Sequence, residues 1–532
     1  MQKKINRTIN VHKIIIEYGI FFGIIFLAIY FRFININVNP GYYSDEGTIV
    51  EIAQNLSKGK RQYLAITRSN LIAARMPLFP LLLAGLFKLF GTGINTLRIF
   101  TSSLGVITVG FLYLVTKYIF SNDRKYLALL SAFLLAIYPE AILFNRLGFS
   151  YNLLAPLVLL MIWSSAKYLK SNNLIWLILG GVSVGLGTMS DLMMFAFVPV
   201  VGLIALTRKW KHVYWSIFVS LLPFGIYSMY SLLFNRTPYI YDFKFTFFRL
   251  GSIPLLAQYP VIVLNYASLM MRDYWWSLAV IGLFLLPKSY SRMIVLLSFF
   301  IPLFFLGRTA PLAGAGFYYL IPLFPILSIG IGSLLEKGIP FVKDVGFRSL
   351  DYIFENIGWP ENINKYRKFR NFLLVIGTSL IIFLVVLSPF VITTFLNFNN
   401  KTGIQKHKIS PLLVNTQDAR RAIKYVNQNL NQDDLVIASP ALAWAIESNA
   451  ADFQQSLAFL GKKTQHFPDD IPRSRFAFNA SYLNAKFVIL DPIWWNWAVP
   501  NMEEVEKMVD VVTQWELVYQ SGDVSVYKNP IK

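Results

Sequence analysis

Eleven runs of uninterrupted apolar sequence constrain this chain more than any other feature. They fall at about 14–34, 99–119, 126–143, 151–169, 174–190, 192–207, 213–234, 274–287, 293–307, 316–335 and 371–397. Runs of roughly 18–20 residues match the thickness of a bilayer core, so the fold expected is an α-helical polytopic membrane protein with about 11 transmembrane helices. Of the 532 residues 55% are apolar and 14% charged, where a soluble chain carries roughly a quarter charged. The first run lacks a small-residue cleavage site and reads as an anchor, not a removed signal.

Basic residues orient the spans. With Lys3, Lys4, Arg7 and Lys13 in the cytoplasm, so are Lys117/Arg124/Lys125, Lys167/Lys170, Arg208/Lys209/Lys211, Lys288/Arg292 and the seven Lys/Arg of residues 337–370. Two longer loops, about 35–98 and 235–273, face the other side, together with residues 398–532. The location expected is the plasma (inner) membrane of a prokaryote, with the N-terminus cytoplasmic. The division expected is a transmembrane module over 1–397 and an extracytoplasmic α/β domain over 398–532. In that domain a helix at 416–430, strands at 435–438 and 485–490, and a hairpin around Gly522 are legible from periodicity.

Charge and composition exclude much chemistry. The domain at 398–532 has 14 basic and 14 acidic side chains, so the net +21 sits entirely on residues 1–397. Basic charge between apolar spans points to anionic lipid head groups and phosphorylated lipids, not nucleic acid. There is no cysteine, hence no thiolate nucleophile or thiolate metal site. His12, His212, His407 and His466 are too scattered for a metal centre. Gly181-Val-Ser-Val-Gly185 fits the GxSxG pattern but lies inside a span, where small residues serve helix packing. Asp191, between two spans, reads equally as a functional acid at membrane depth and as part of a short outer turn; Trp494, Trp495 and Trp497 could stack on a sugar face, but core packing or interface contact is the stronger reading.

Residues 1–397 contain 14 carboxylates. Only Asp45, Glu46, Glu51, Glu140, Asp191, Asp242 and Asp273 are available on the outer side or in the membrane. Asp45 and Glu46 are adjacent, after Gly41-Tyr-Tyr-Ser, at the start of an amphipathic helix with Ser44 as its expected N-cap. Acids in a first turn also complement the helix dipole. If chemistry takes place here, a carboxylate must be its base, and this pair is best placed. Arg75, in Ala-Arg-Met-Pro-Leu-Phe-Pro, joins Arg32, Arg98, Arg146 and Arg308 as guanidinium groups suited to phosphate capture or to snorkelling.

The Arg32 span end, the Ser-Asp-Glu motif and RMPLFPLLLAGLFKLFG resemble the C-type-fold glycosyltransferases, notably protein O-mannosyltransferases and the lipid A aminoarabinose transferase. LRIFTSSLGVITVGFLYLV, YPEAILFNRLGFSYNLLAPLVLL and FYYLIPLFP extend the resemblance over roughly residues 14–397. It implies transfer of a single sugar from a polyprenyl-phosphate carrier to an acceptor hydroxyl of a protein, lipid or glycan on the outer face, with inversion. Asp45 would match the catalytic base and Glu46 its motif neighbour. Arg75, Arg146 and Arg308 would bind the donor phosphate, while Arg32, Arg98, Tyr318 and Tyr319 are possible substrate contacts. Departures are Met76 for a proline, Tyr151-Asn152 where many relatives carry an acid, and Asp191 where lysine is frequent. No Asp-x-Asp motif is present, so no cofactor and no metal site is expected, and a divalent-cation requirement stays open. The alternatives are a transporter or flippase of lipid-linked sugars, whose basic cavity needs no base, and a cell-surface glycan polymerase or ligase.

Overall fold

The computed structural model describes residues 2–67, 76–120, 124, 126–249, 255–309, 315–338 and 340, isolated positions between 372 and 398, and 409–532. Side chains are described for all of these but 2–13, 245–249, 255–258, 272, 307–309 and 315–317.

Among the described residues, five helices are long and apolar enough to cross a membrane alone: Ile14–Phe33 of α1 (Gln2–Phe33), α4 (Ile94–Phe120), Ser150–Ser171, Trp210–Phe234 and Tyr318–Gly338. A sixth span is split into α5 (Leu127–Ile137) and α6 (Pro139–Arg146), bent by 57°. Pro139 causes the break, because it has no N–H to continue the ladder and forces extended backbone on Tyr138. Four further expected runs form shorter apolar helices, Leu174–Thr188, Leu192–Leu206, Tyr274–Phe284 and Tyr290–Leu306. The run at 371–397 lies mostly outside the described residues. Two apolar helices arise where the sequence suggests loops: α3 (Leu78–Phe90) in the first and Tyr259–Met271 in the second. Each falls short of spanning length, which is why a hydropathy window misses it.

Burial tells lipid from protein. Trp210–Phe234 buries only 11% of its most apolar window, while Tyr318–Gly338 buries 83% and forms the centre of the bundle. Gly181 and Gly185 press on Ser216, Ser220 and Pro223 of the neighbouring helix, as small-residue packing requires. Segments expected to share a face do so. Lys117 pairs with Glu17 and Arg124 with Glu336 at one end, while Asp242 meets Arg475 of the C-terminal domain at the other.

The C-terminal domain is α/β, with a sheet β4–β3–β5–β7–β6 made of β3 (Leu435–Ala438), β4 (Asn449–Asp452), β5 (Phe487–Leu490), β6 (Glu516–Ser521) and β7 (Val524–Lys528). β4, β3 and β5 are parallel, and β7 continues the sheet antiparallel. β6 and β7 form the hairpin at Gly522, whose φ of +53° suits glycine. The expected helix is Thr416–Gln428, with Ala419, Ala422, Ile423 and Val426 buried on one face. β4 was not legible beforehand, because Asn-Ala-Ala-Asp lacks the β-branched and aromatic residues that signal a strand.

The parallel strands point their carboxyl ends at the first loop. Its helix α2 (Ser44–Ser57) and its short hairpin β1 (Gln62–Tyr63) and β2 (Ile66–Thr67) dock there. Ile49, Val50, Phe79 and Leu83 share one core with Val414, Val436, Ala438 and Leu442. Tyr42 forms a backbone bridge to Val414, and Ile66 one to Phe476. Tyr63 donates to Asp452 at 3.0 Å, and Gln455 takes the Ala65 N–H at 3.1 Å. A side chain at Gly47 would strike the Pro440 carbonyl, so only glycine lets α2 approach this closely.

Candidate active site

Which acid of the adjacent pair faces outward is decided by the helix start. The N-cap is Tyr43, one residue before the expected Ser44, and its backbone is extended (φ −118°, ψ 148°). This correction puts Asp45 at the second helical position and Glu46 at the third. From the third position a Glu reaches back to the cap N–H, and the Tyr43 N–H donates to Glu46 Oε2 at 3.2 Å.

Glu46 is fully buried and its carboxylate is saturated. It accepts Arg98 Nε and Nη2, each at 2.7 Å, and the Gly148 N–H at 3.2 Å. Arg98, also fully buried, gives its other N–H groups to the carbonyls of Ile36 (3.1 Å), Pro40 (2.9 Å) and Gly41 (2.8 Å). All five guanidinium donors are thereby used. The pair fixes the loop between α1 and α2 onto α4, and its bidentate geometry is the strong form of such a contact. Glu46 is therefore a brace and not an exposed acid, and Arg98, expected as a possible substrate contact, is its clamp.

Two other arginines of the expected set are also enclosed. Arg146 donates to the carbonyls of Phe31 (2.7 Å), Ile34 (2.6 Å) and Asn39. Arg32 donates to Asn145 Oδ1 (2.8 Å) and to the carbonyls of Leu135 and Ala136 (3.1 Å each). Both are fully buried. They satisfy carbonyls freed at the end of α1 and at the α5–α6 break, where no helical N–H can serve. This redirects Arg146 from the phosphate role and Arg32 from the substrate role expected of them. Arg75 lies outside the described residues, as does the side chain of Arg308.

Asp45 takes a different position. It is half-buried, and the Tyr318 ring lies within electrostatic reach of it and of Tyr43. Tyr318 is the hub of an aromatic group. It stacks on Phe149 at 4.8 Å and on Tyr151 at 5.6 Å, and Tyr319 lies 4.4 Å away. Phe149 also meets Tyr43, at 5.6 Å. Asp45, Tyr318 and Tyr319, from segments some 270 residues apart, are thus gathered beside the segment that follows α6. Tyr151-Asn152, where an acid is common among the resembled enzymes, divides its work here. Tyr151 joins the aromatic wall, while Asn152 holds the segment by donating to the carbonyls of Phe144 (2.8 Å) and Phe149 (3.0 Å).

Glu51, further along α2, is pushed up by burial and accepts Asn55 Nδ2 at 2.8 Å. It braces the helix. Asp191 caps its turn by accepting the Met193 N–H at 3.0 Å. Trp494 is fully buried in the C-terminal core, while Trp495 is exposed. Sequence reasoning missed Gly148, Phe149 and Tyr151 as site formers. Their signal was present in the run Asn-Arg-Leu-Gly-Phe-Ser-Tyr-Asn (145–152), where polar residues and a glycine interrupt membrane sequence.

The arrangement sets the half-buried carboxylate of Asp45 near aromatic faces of the kind that bind sugar rings. Residues 74–238 match the model of the dolichyl-phosphate-mannose-protein mannosyltransferase family, less than half of the chain. No curated protein matches in sequence. Among solved structures, ArnT from Cupriavidus metallidurans bound to undecaprenyl phosphate matches with a TM-score of 0.59 and 12% identity, covering 96% of this chain and 98% of that one. The same protein in its apo state gives 0.56 and 13%, covering 98% of each chain. The Archaeoglobus fulgidus oligosaccharyltransferase, in complex with zinc and sulfate, gives 0.52 and 13%, covering 92% of this chain and 70% of that one. At these identities the likeness is one of fold. The chain has the C-type glycosyltransferase membrane fold with a strand-containing C-terminal domain, as its sequence motifs imply.

Proposed function

We propose that this chain is an integral membrane glycosyltransferase that moves one sugar from a polyprenyl-phosphate carrier to an acceptor hydroxyl, with Asp45 as general base. The observation that supports it best is the division between the two adjacent acids. Glu46 is buried and committed to Arg98, while its neighbour Asp45 stays half-buried and within electrostatic reach of Tyr318. A transporter needs no base at that position, and nothing in the geometry favours that reading.

In the step proposed, the Asp45 carboxylate takes the proton of the acceptor hydroxyl as its oxygen attacks the anomeric carbon. The bond from that carbon to the phosphate oxygen breaks, and the polyprenyl phosphate leaves with the electron pair. Attack opposite the leaving group inverts the anomeric centre. Positioned proton transfer of this kind contributes roughly a hundred- to ten-thousand-fold. Arg75 and Arg308 are the proposed partners of the departing phosphate, since Arg32, Arg98 and Arg146 are enclosed. The proposed step needs no metal ion, so EDTA should leave turnover unchanged, and loss of turnover restored by a divalent cation would overturn that part. The first loop and the C-terminal domain lie together on one face, which we assign to the outer side from the distribution of basic residues.

The experiment is turnover of polyprenyl-phosphate-linked sugars by purified protein with membrane extract as acceptor source. Asp45→Asn should lower sugar release at least a hundredfold while donor binding persists. Near-normal transfer by Asp45→Asn would rule out Asp45 as the base. Absence of any sugar release by the wild type, with lipid movement intact in both proteins, would favour a transporter.

A further inference from the structure

A cleft of about 640 Å³ opens at the seam between the membrane half and the C-terminal domain, lined by residues from both. One wall is the turn Thr92–Asn95, where α4 enters its span. The opposite wall is the helix Thr416–Gln428, which presents Arg420 and Lys424 one turn apart. Tyr42 and Trp444 also line the cleft, with ring centroids 6.4 Å apart and edge to face. Arg420 donates to the Tyr42 hydroxyl at 3.0 Å and to the Asn37 carbonyl at 3.1 Å, which fixes its guanidinium in the lining. Lys424 is exposed and makes no ion pair among the described residues. Glu447 is the one acid in the lining, so the cleft is cationic.

Its rim runs directly into the end of α3, where Lys88 is exposed and Leu89 and Phe90 are 75% and 72% exposed. Because α4 begins in the cleft wall and is long and apolar enough to be a membrane span, we place these apolar side chains at the level of the bilayer surface. A cationic cleft bordered by apolar side chains at that depth matches an amphipathic anion: phosphate toward Lys424, acyl chain toward Leu89 and Phe90. A soluble phosphate has no use for the apolar rim, and its volume is a small part of the cleft.

We propose that this cleft is a second, non-catalytic site that binds the phosphate-bearing head group of an anionic membrane lipid, with Lys424 and Arg420 as its phosphate contacts. The proposal goes beyond sugar transfer and does not depend on it. Trp444 supplies the probe. Wild type and Trp444→Phe are reconstituted in phosphatidylcholine vesicles containing increasing fractions of phosphatidylglycerol brominated near the glycerol, and tryptophan quenching is compared. The difference between the two proteins should saturate with phosphatidylglycerol and be absent with equally brominated phosphatidylcholine. Lys424→Ala should raise the half-saturating fraction about fivefold, whereas Lys507→Ala, on a remote exposed helix, should not change it. Equal quenching by both lipids, or an unchanged half-saturation in Lys424→Ala, would overturn the proposal. Displacement of the saturable component by millimolar inorganic phosphate would overturn the lipid as its source. Because the readout is not turnover, a failure of the sugar-transfer reading would leave this result standing.

Discussion

Arg98→Met tests how the Asp45 loop is held. Methionine fills much of the volume but removes five hydrogen bonds, two to Glu46 and three to the carbonyls of Ile36, Pro40 and Gly41. Breaking one side of a buried ion pair costs about 3–5 kcal/mol, because the remaining charge stays desolvated. Glu46 would keep only the N–H groups of Tyr43 and Gly148, both at 3.2 Å. If a cost of about 4 kcal/mol falls on local opening of the loop, its open population rises about a thousandfold. Thermal melting in detergent reads the global part, hydrogen exchange over residues 36–50 reads the local part, and sugar release reads the consequence at Asp45. All three should move together. The double variant Glu46→Leu with Arg98→Met should recover much of the stability, since an apolar pair leaves no buried charge, yet remain poorly active because the helix start has lost its brace. A single Arg98→Met variant that melts with the wild type, keeps its exchange protection and transfers sugar normally would refute the reasoning.

Gly47→Ala should lower stability by roughly 1–3 kcal/mol and impair sugar release, because its Cβ meets the rigid Pro440 carbonyl; Gly23→Ala, with open space around it, should do neither. Arg75→Ala should reduce donor binding or turnover far more than Arg75→Lys, and equal, negligible effects would make Arg75 an interfacial anchor only. Burial pushes the Asp452 carboxyl up to about 6. The folded chain therefore binds that proton more tightly than the unfolded one, so the stabilising contribution falls as pH rises from about 4 to about 6 and is flat above. Asp452→Asn should flatten the melting temperature over that window, and an unchanged slope would mean that the carboxyl does not titrate there.

Much of the fold was legible because two of its signals are local. Apolar length marks spans, and amphipathic periodicity marks helices such as Thr416–Gln428. The short helices α3 and Tyr259–Met271 escaped because their apolar runs fall below spanning length and sit among basic and polar residues. At the site, elimination of histidine, cysteine and most carboxylates led to Asp45 and Glu46 as a pair. It could not divide their roles, since that depends on whether Tyr43 or Ser44 caps the helix, and a shift of one residue turns a side chain by about 100°. The arginines were read by charge and by resemblance. Their actual partners are main-chain carbonyls at helix ends, which exist only once α1, α5 and α6 are in place. The aromatic group was hidden for a similar reason: Tyr43, Phe149 and Tyr318 meet only across the folded bundle.

The docking of the first loop onto the carboxyl ends of the parallel strands also sets a schedule. Tyr63 meets Asp452, and Thr67 the Arg475 carbonyl, across 389 and 408 residues of chain. At synthesis rates of roughly 5–20 residues per second, the segment bearing Asp45 waits about 20–80 s for those partners to be made. Throughout that interval the membrane helices can insert while α2 lacks the surface that positions it. A chain cut short before β4 would thus have its acids present while both of these partners of the first loop were missing.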